Sequence, residues 1–433
     1  MKRLFCIVSI VFIVFDVTGQ TKTGKPVITQ VASPESAGFS SERLQRIDTM
    51  LQGYVTRERL NGVVALLVHD GKIAYYKGFG YDDVAAKTPM KRDAIFRIAS
   101  QTKAITSVAV MMLYEAGKFQ LDDPISNYIP AFKGPKVLDK FNREDTTYTT
   151  VPARREITIR DLLTHTSGIG YAQIGSLEAN AIYHKAGIFG GIGVEKILLA
   201  DQIKILAKQP LMHQPGEKWT YGLNSDVLGY LVEVASGMSL DEFFRKRIFE
   251  PLGMKDTYFY LPKEKHSRLV NLYSENPSTR KVEKMEPSIM IGADNFIRDY
   301  PNTAGTHFSG GGGLSSTIYD YAIFLQMLLN GGEYNGKRIL GHSSVRMMTM
   351  DQIGNLYYGA NRFGLGFEVV TEKGSAILPW QAGSFQWGGM FATAYWVDPK
   401  EKLVALLYRN VYPTSLGTIV DRFRTMSYAA INN

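Results

Sequence analysis

The sequence predicts a mixed α/β protein of the α+β kind. We expect an antiparallel sheet flanked by helices from both chain ends, joined to a second, mostly helical lobe. Three observations predict it. Strand-like runs rich in β-branched and aromatic residues lie near the two ends: GVVALLVHD and KIAYYKGFGY on one side, ATAYWVD and KLVALLYRN on the other. Each end also carries an amphipathic helix, marked by Leu44, Ile47, Leu51 and Tyr54 and by Ile419, Phe423 and Met426. Between them the apolar spacing is mostly helical. With 433 residues, 45% hydrophobic and 21% charged, the chain can bury a large core or two domains. The expected division is a sheet lobe of 24–95 with 316–433 and a helical lobe of 96–315.

The chain opens with Met1-Lys2-Arg3, the apolar run LFCIVSIVFIVF and a polar stretch. That is the form of a secretory signal, too short for a comfortable membrane span, and we expect residues 1–20 to be removed near Gly19–Thr21. The expected location is therefore periplasmic or secreted, with no stable membrane anchor after cleavage. Cys6, the single cysteine, lies inside this segment, so the processed chain would have no disulfide. No other stretch is apolar for long enough to span a bilayer.

Ser40 or Ser41 opens the first helix, and Asp70-Gly71 joins the first two strands as a hairpin. A helix follows from about Ser100, with Ile105, Val108, Ala109, Met112 and Leu113 in an apolar stripe, and Asp122-Asp123-Pro124 ends that region. Residues 133–156 are polar and aperiodic and read as an exposed excursion. ITIRDLLTHTSGIGY reads as a short helix ending in the turn Thr166-Ser167-Gly168, and residues 194–210 as a helix closed by Pro210. Pro215-Gly216 makes a turn, an extended segment follows, and a buried helix begins near Ser225. Ser239 and Glu242 have capping-box spacing for a helix to Phe249. Residues 262–310 show no clear periodicity. Gly310–Gly313 lead to a helix from Thr317 to Leu329, with Tyr321, Phe324, Leu325 and Leu328 on one side. FGLGFEVV reads as a further strand.

The chemistry centres on Ser100 and Lys103. Residues three apart share a helix face, so the hydroxyl and amine can meet. A serine hydroxyl becomes a strong nucleophile when an adjacent base takes its proton, and the N–H groups at a helix start favour developing negative charge. Ser278 and Lys281 repeat the spacing, but in a polar stretch after Pro277 that would bury neither. The glycine run lacks the Lys-Ser/Thr ending of a phosphate-binding loop, so a close backbone approach explains it better. His165 suits a structural role in its turn. Histidine spacing suggests no zinc site, and no G-x-S-x-G elbow is present. The net charge of +8 is spread without a dense basic run, which gives no sign of nucleic-acid binding.

Five stretches resemble the serine β-lactamase and penicillin-binding-protein superfamily, in its order: SQTK at 100–103, LLTHTSG at 162–168, PGEKWTYGLNSDVLGYLVEVASG at 215–237, GGGGLSST at 310–317 and WGG at 387–389. The likeness is greatest to the class C-type branch with serine esterases and transesterases. It implies a β-lactamase/transpeptidase-like fold. It also implies Ser100 as the acylated nucleophile, Lys103 as base, and Tyr221 as the proton-relaying tyrosine. The backbone N–H groups of Ser100 and Met390 would form the oxyanion hole, and Trp387, Gly388 and Gly389 would bind substrate. No metal or organic cofactor is implied. Two positions depart from the family pattern: Asn224 stands one place late after Tyr221, and Trp387 replaces a usual cation. Tyr171 and Trp380 are open as acyl-pocket or core residues.

The expected function is an exported serine hydrolase cleaving an ester or amide. The alternatives are a β-lactamase or D-amino-acid peptidase, or a sensor that acylates without turnover. The expected substrate is a small ester, amide or β-lactam. Oligomeric state is left open.

Overall fold

A computed structural model describes residues 25–193, 196–292 and 294–432. The expected signal segment 1–20, with Cys6, lies outside the described residues.

A nine-stranded sheet forms the centre. Its main order is Thr29–Gln30, Lys72–Asp83, Gly62–His69, Leu403–Tyr408, Thr393–Asp398, Phe385–Gly389, Glu368–Val369, Arg362–Phe363, with Thr88–Pro89 paired beside Lys72–Asp83. The pairs are antiparallel except at one edge, where Thr29 and Gln30 run parallel to Lys72 and Ile73. The first and last thirds of the chain thus build one sheet, as the end-loaded strand signals predict.

The continuous apolar run Gly62–His69 has a simple cause. Side chains alternate across a strand, and here both faces are covered. Val63, Ala65 and Leu67 pack with Leu403, Ala405 and Leu407 against Leu44, Ile47 and Leu51 of helix Ser41–Thr56 and Ile419 and Phe423 of helix Thr418–Ala429. Val64, Leu66 and Val68 belong to a second cluster with Leu406 and Tyr408, Ile105 and Val108 of helix Thr102–Glu115, and Phe324 and Leu325 of helix Ile318–Leu329. Burial on two sides replaces the usual alternation of apolar and polar residues. The two ends also meet: Ser40 N–H donates to the Ala430 carbonyl and Asn432 N–H to that of Gly38, both at 2.8 Å.

Several local expectations are corrected. Residues 133–156 contain a hairpin, Lys136–Phe141 with Tyr148–Pro152, whose Val137 is buried. Two more hairpins pair Tyr273–Glu275 with Val282–Lys284 and Ser288–Ile291 with Asp294–Ile297. These strands are short, so their period-2 signal is weak. The helix expected over 194–210 spans Leu199–Leu206. Leu198 is extended, and His307 Nδ1 lies 3.1 Å from the Ile197 carbonyl, so the helix begins only at Leu199. FGLGFEVV is not one strand: Phe363 ends the strand Arg362–Phe363, the chain turns through Gly366 at φ +93°, and Glu368–Val369 pairs back on it. Ser239 caps its helix by accepting from Glu242 N–H, and the helix widens to π geometry over Arg245–Phe249.

Candidate active site

The site begins where strand Ile95–Arg97 runs into helix Thr102–Glu115. Between them lies the 3-10 turn Ala99–Gln101, which carries Ser100. Thus Ser100 precedes the α-helix rather than opening it. A 3-10 turn eclipses residues three apart, and Lys103 Nζ lies 3.2 Å from Ser100 Oγ. Ala99 is in the left-handed region at φ +42° and fully buried. Backbone strain of this kind persists only where surrounding structure enforces it. Here Ile98 N–H donates to the Leu314 carbonyl, and strand Ser315–Thr317 pairs with Ile95–Arg97.

Lys103 is buried. Besides Ser100, its amine donates to the Tyr171 hydroxyl at 2.9 Å and the Gly311 carbonyl at 2.7 Å. The glycine run therefore serves close backbone approach, as expected. A Cβ at Gly311 would lie 2.4 Å from Asp226 Oδ2, and Gly310 accepts from Thr106 Oγ1 at 2.7 Å. Asp226 is itself buried; its Oδ1 accepts from Ser309 Oγ at 2.6 Å and from Gly311 N–H at 3.3 Å. This carboxylate fixes the loop that supplies the carbonyl for Lys103.

The Tyr221 hydroxyl donates to Ser100 Oγ at 2.7 Å. Ser100 Oγ thus sits between an amine and a phenol. The Tyr221 ring is held by its neighbours, 5.0 Å from His165, 5.3 Å from Tyr171 and 5.7 Å from Trp387, centroid to centroid. Burial, followed by the neighbouring Tyr221, pushes the Tyr171 phenol well above its ordinary value, so it stays protonated beside Lys103.

His165 has φ +58° and its ring is tilted 39° against that of Tyr221. Burial, and then the charge of Lys103, holds its pKa well below the ordinary histidine value. Its Nδ1 lies 2.9 Å from Asn224 Nδ2, while Asn224 Oδ1 accepts from Ser167 Oγ at 2.5 Å. With the amide oriented this way, Asn224 donates to Nδ1 and the histidine proton resides on Nε2. Asn224 is fully buried and ties the Thr166-Ser167-Gly168 turn to the helix Asn224–Ser236. Its departure in sequence is matched by a departure in place: it does not line the cavity beside Ser100.

That cavity has a volume of about 510 Å³. Ser100, Trp387, Gly388, Gly389, Met390 and Tyr171 are among its walls. Strand Phe385–Gly389 comes close to the Ser100 turn because Gly389 lacks a side chain; a Cβ there would lie 2.3 Å from the Ile98 carbonyl. Trp380 is elsewhere. Its Nε1 donates to the Gly374 carbonyl at 3.1 Å and the Arg424 guanidinium lies 3.9 Å over its ring. Of the two aromatic candidates, Tyr171 therefore joins the site and Trp380 does not. Ser278–Lys281 lies at an exposed hairpin end. Among the described residues, no group of three His, Cys, Asp or Glu side chains is placed to hold a metal ion.

The Beta-lactamase family model matches residues 47–425. The chain belongs to that family. Its relatives include esterase EstB of Burkholderia gladioli, 30% identical over 412 residues, covering 92% of this chain and 99% of that protein. Lovastatin esterase of Penicillium rubens is 28% identical over 408 residues, covering 88% of this chain and 97% of its own. Among solved structures, EstCE1, described as a hydrolase with promiscuous acyltransferase activity, aligns with a TM-score of 0.78 and 25% identity, over 89% of this chain and 98% of that one. The resemblance drawn from the five sequence stretches therefore holds, and with it the fold class and the assignment to the serine hydrolases. This Beta-lactamase family member is an enzyme of that broad class.

Proposed function

We propose that this enzyme cleaves a carboxylic ester through a covalent acyl-enzyme on Ser100. The observation that carries the reading is the position of Ser100 Oγ, 3.2 Å from Lys103 Nζ and 2.7 Å from Tyr221 Oη, at the edge of an aromatic cavity. In this reading Lys103 takes the Ser100 proton while Oγ attacks the carbonyl carbon. The oxyanion forms against the N–H groups of Ser100 and Met390, donors of a kind worth roughly 10²–10³ in rate each. Tyr221 passes the proton to the departing alcohol. Water then adds to the acyl carbon, returns its proton through the same pair, and releases the acid.

Trp387 supports an ester over a β-lactam or a peptide C-terminus. An indole cannot pair with a carboxylate; it offers an apolar face and one donor. The named esterase relatives support the same choice. Export is part of the proposal, supported by the charged and apolar opening of the chain. Cell fractionation with N-terminal sequencing checks it, and an intact leader in the cytoplasm would remove it.

The decisive experiment is hydrolysis of p-nitrophenyl butyrate by the wild type and Ser100→Ala, beside a chromogenic cephalosporin. Steady ester turnover, lost in the variant, is expected. Cephalosporin turnover exceeding that of the ester would reverse the substrate assignment. A single burst without turnover would point to a sensor.

A further inference from the structure

The charge of the cavity is unusual for a pocket built to receive acids. Its lining includes one carboxylate, Glu368, and no Lys, Arg or His among the described residues. Lys103 stands behind Ser100 with its amine engaged by Tyr171 and Gly311. The wall is also rich in aromatic rings: Tyr221, Trp387, Tyr357, Tyr358 and Tyr412 all contribute. Tyr357 and Tyr358 stack at 4.8 Å, and Trp219 links them to Tyr221 through ring contacts of 5.0 and 5.9 Å.

Glu368 is held rather than loose. Tyr357 Oη donates to its Oε2 at 2.9 Å, and Asn361 Nδ2 donates to Oε1. A carboxylate has about four acceptor positions, so these two bonds leave acceptor capacity on a side chain that lines the cavity. Glu368 pairs across the sheet with Gln386, immediately before Trp387. The buried Arg424, which reaches Gln386, is already paired: it donates to Asp421 Oδ1 at 2.7 Å and to Gln386 Oε1 at 3.0 Å. Glu368 is thus the one charged side chain among the described lining residues of the cavity.

A fixed carboxylate among aromatic faces is the chemistry that recognises an organic cation, since ring faces and carboxylate attract the same charge. We propose that this cavity selects esters carrying an ammonium group, such as those of amino alcohols, with Glu368 setting the preference. This rests on the ester reading above and adds the substrate class. It explains more than the loss of a cation at position 387. The site lacks a carboxylate partner and also holds a group that repels carboxylates.

The test compares butyrylcholine with 3,3-dimethylbutyl butyrate, its neutral isostere, on the wild type, Glu368→Gln and Tyr358→Ala. Tyr358 is 69% exposed, so its truncation tests the cage without disturbing the core. The wild type should favour the cationic ester in kcat/KM by about tenfold, the size of one such interaction. Glu368→Gln should bring the ratio near one, and Tyr358→Ala should lower it. In parallel, calorimetry measures binding of phenyltrimethylammonium and of neutral tert-butylbenzene to the wild type and Glu368→Gln. Tighter binding of the cation, lost in the variant, is expected whether or not the ester is turned over. Equal or better handling of the neutral isosteres in both measurements overturns the proposal, as does a preference that survives Glu368→Gln. Turnover of p-nitrophenyl butyrate through Ser100 without cation preference would defeat this inference and leave the ester reading intact. Cation binding without any Ser100-dependent turnover would do the reverse.

Discussion

Around Ser100 the two partners do different work. The Tyr221 hydroxyl meets Oγ but contributes little to packing that its ring does not already supply. Tyr221→Phe should therefore lower kcat by roughly 10²–10⁴, the usual range for a lost proton relay, with the folded state preserved. Near-normal kcat would remove Tyr221 from the proton path. Asn224 should behave in the opposite way. Asn224→Ala leaves the Ser167 hydroxyl proton and His165 Nδ1 without these partners in the core, at about 1–3 kcal/mol for a buried unsatisfied group. Urea denaturation checks this, and an unchanged midpoint at unchanged slope would count against it. Ser100, Lys103 and Tyr221 were legible because each sits in a short local pattern. The contact between Tyr171 and Lys103 was not, since it joins residues 68 positions apart and needs the fold to bring them together. The charge of the cavity was equally hidden, because Glu368 lies in a stretch with no motif.

At the scale of elements, the site depends on how closely one strand approaches one turn. Gly389→Val would press a branched side chain into the Ile98 carbonyl and Thr393 Oγ1, both 2.3 Å from the new Cβ. The strand must retreat, carrying Met390 with it. We expect kcat/KM for p-nitrophenyl butyrate to fall on the order of 10²-fold, as a displacement near 1 Å can do. Wild-type activity in Gly389→Val would show that the strand does not position the reacting carbonyl. The long helices and the central strands were readable because ten or so residues of periodic burial leave a clear pattern. The three hairpins of the middle region were not: their strands run from three to six residues, with few buried positions. The sheet order was only partly legible. The Asp70-Gly71 turn pairs neighbours, but no local signal reports that Gly62–His69 lies beside Leu403–Tyr408.

Over the whole molecule, buried tyrosines set the alkaline limit. Burial raises Tyr183 to about 12 and places Tyr171, Tyr321 and Tyr408 well above the ordinary value of 10.0. A group whose pKa is higher folded than unfolded contributes stability that is complete below the unfolded value and lost as pH rises toward the folded one. Unfolding free energy should therefore hold up to about pH 10 and drop steeply above it. Tyrosinate absorbance should rise together with loss of circular dichroism; early titration within a folded protein would contradict this. The depressed pKa of His165 acts at the other end, where stability should decline as pH falls below the unfolded value near 6.5.

The placement of Leu403–Tyr408 also has a consequence in time. This strand sits in the middle of the sheet, between Gly62–His69 and Thr393–Asp398, although a ribosome makes it long after its partner Gly62–His69. A nascent chain lacking it has two half-sheets with open inner edges and no continuous core between them. The nascent chain should consequently stay protease-sensitive until Leu403–Tyr408 has emerged and become resistant only then. Limited proteolysis of ribosome-stalled chains of increasing length would read this directly, with protection appearing in one late step rather than gradually.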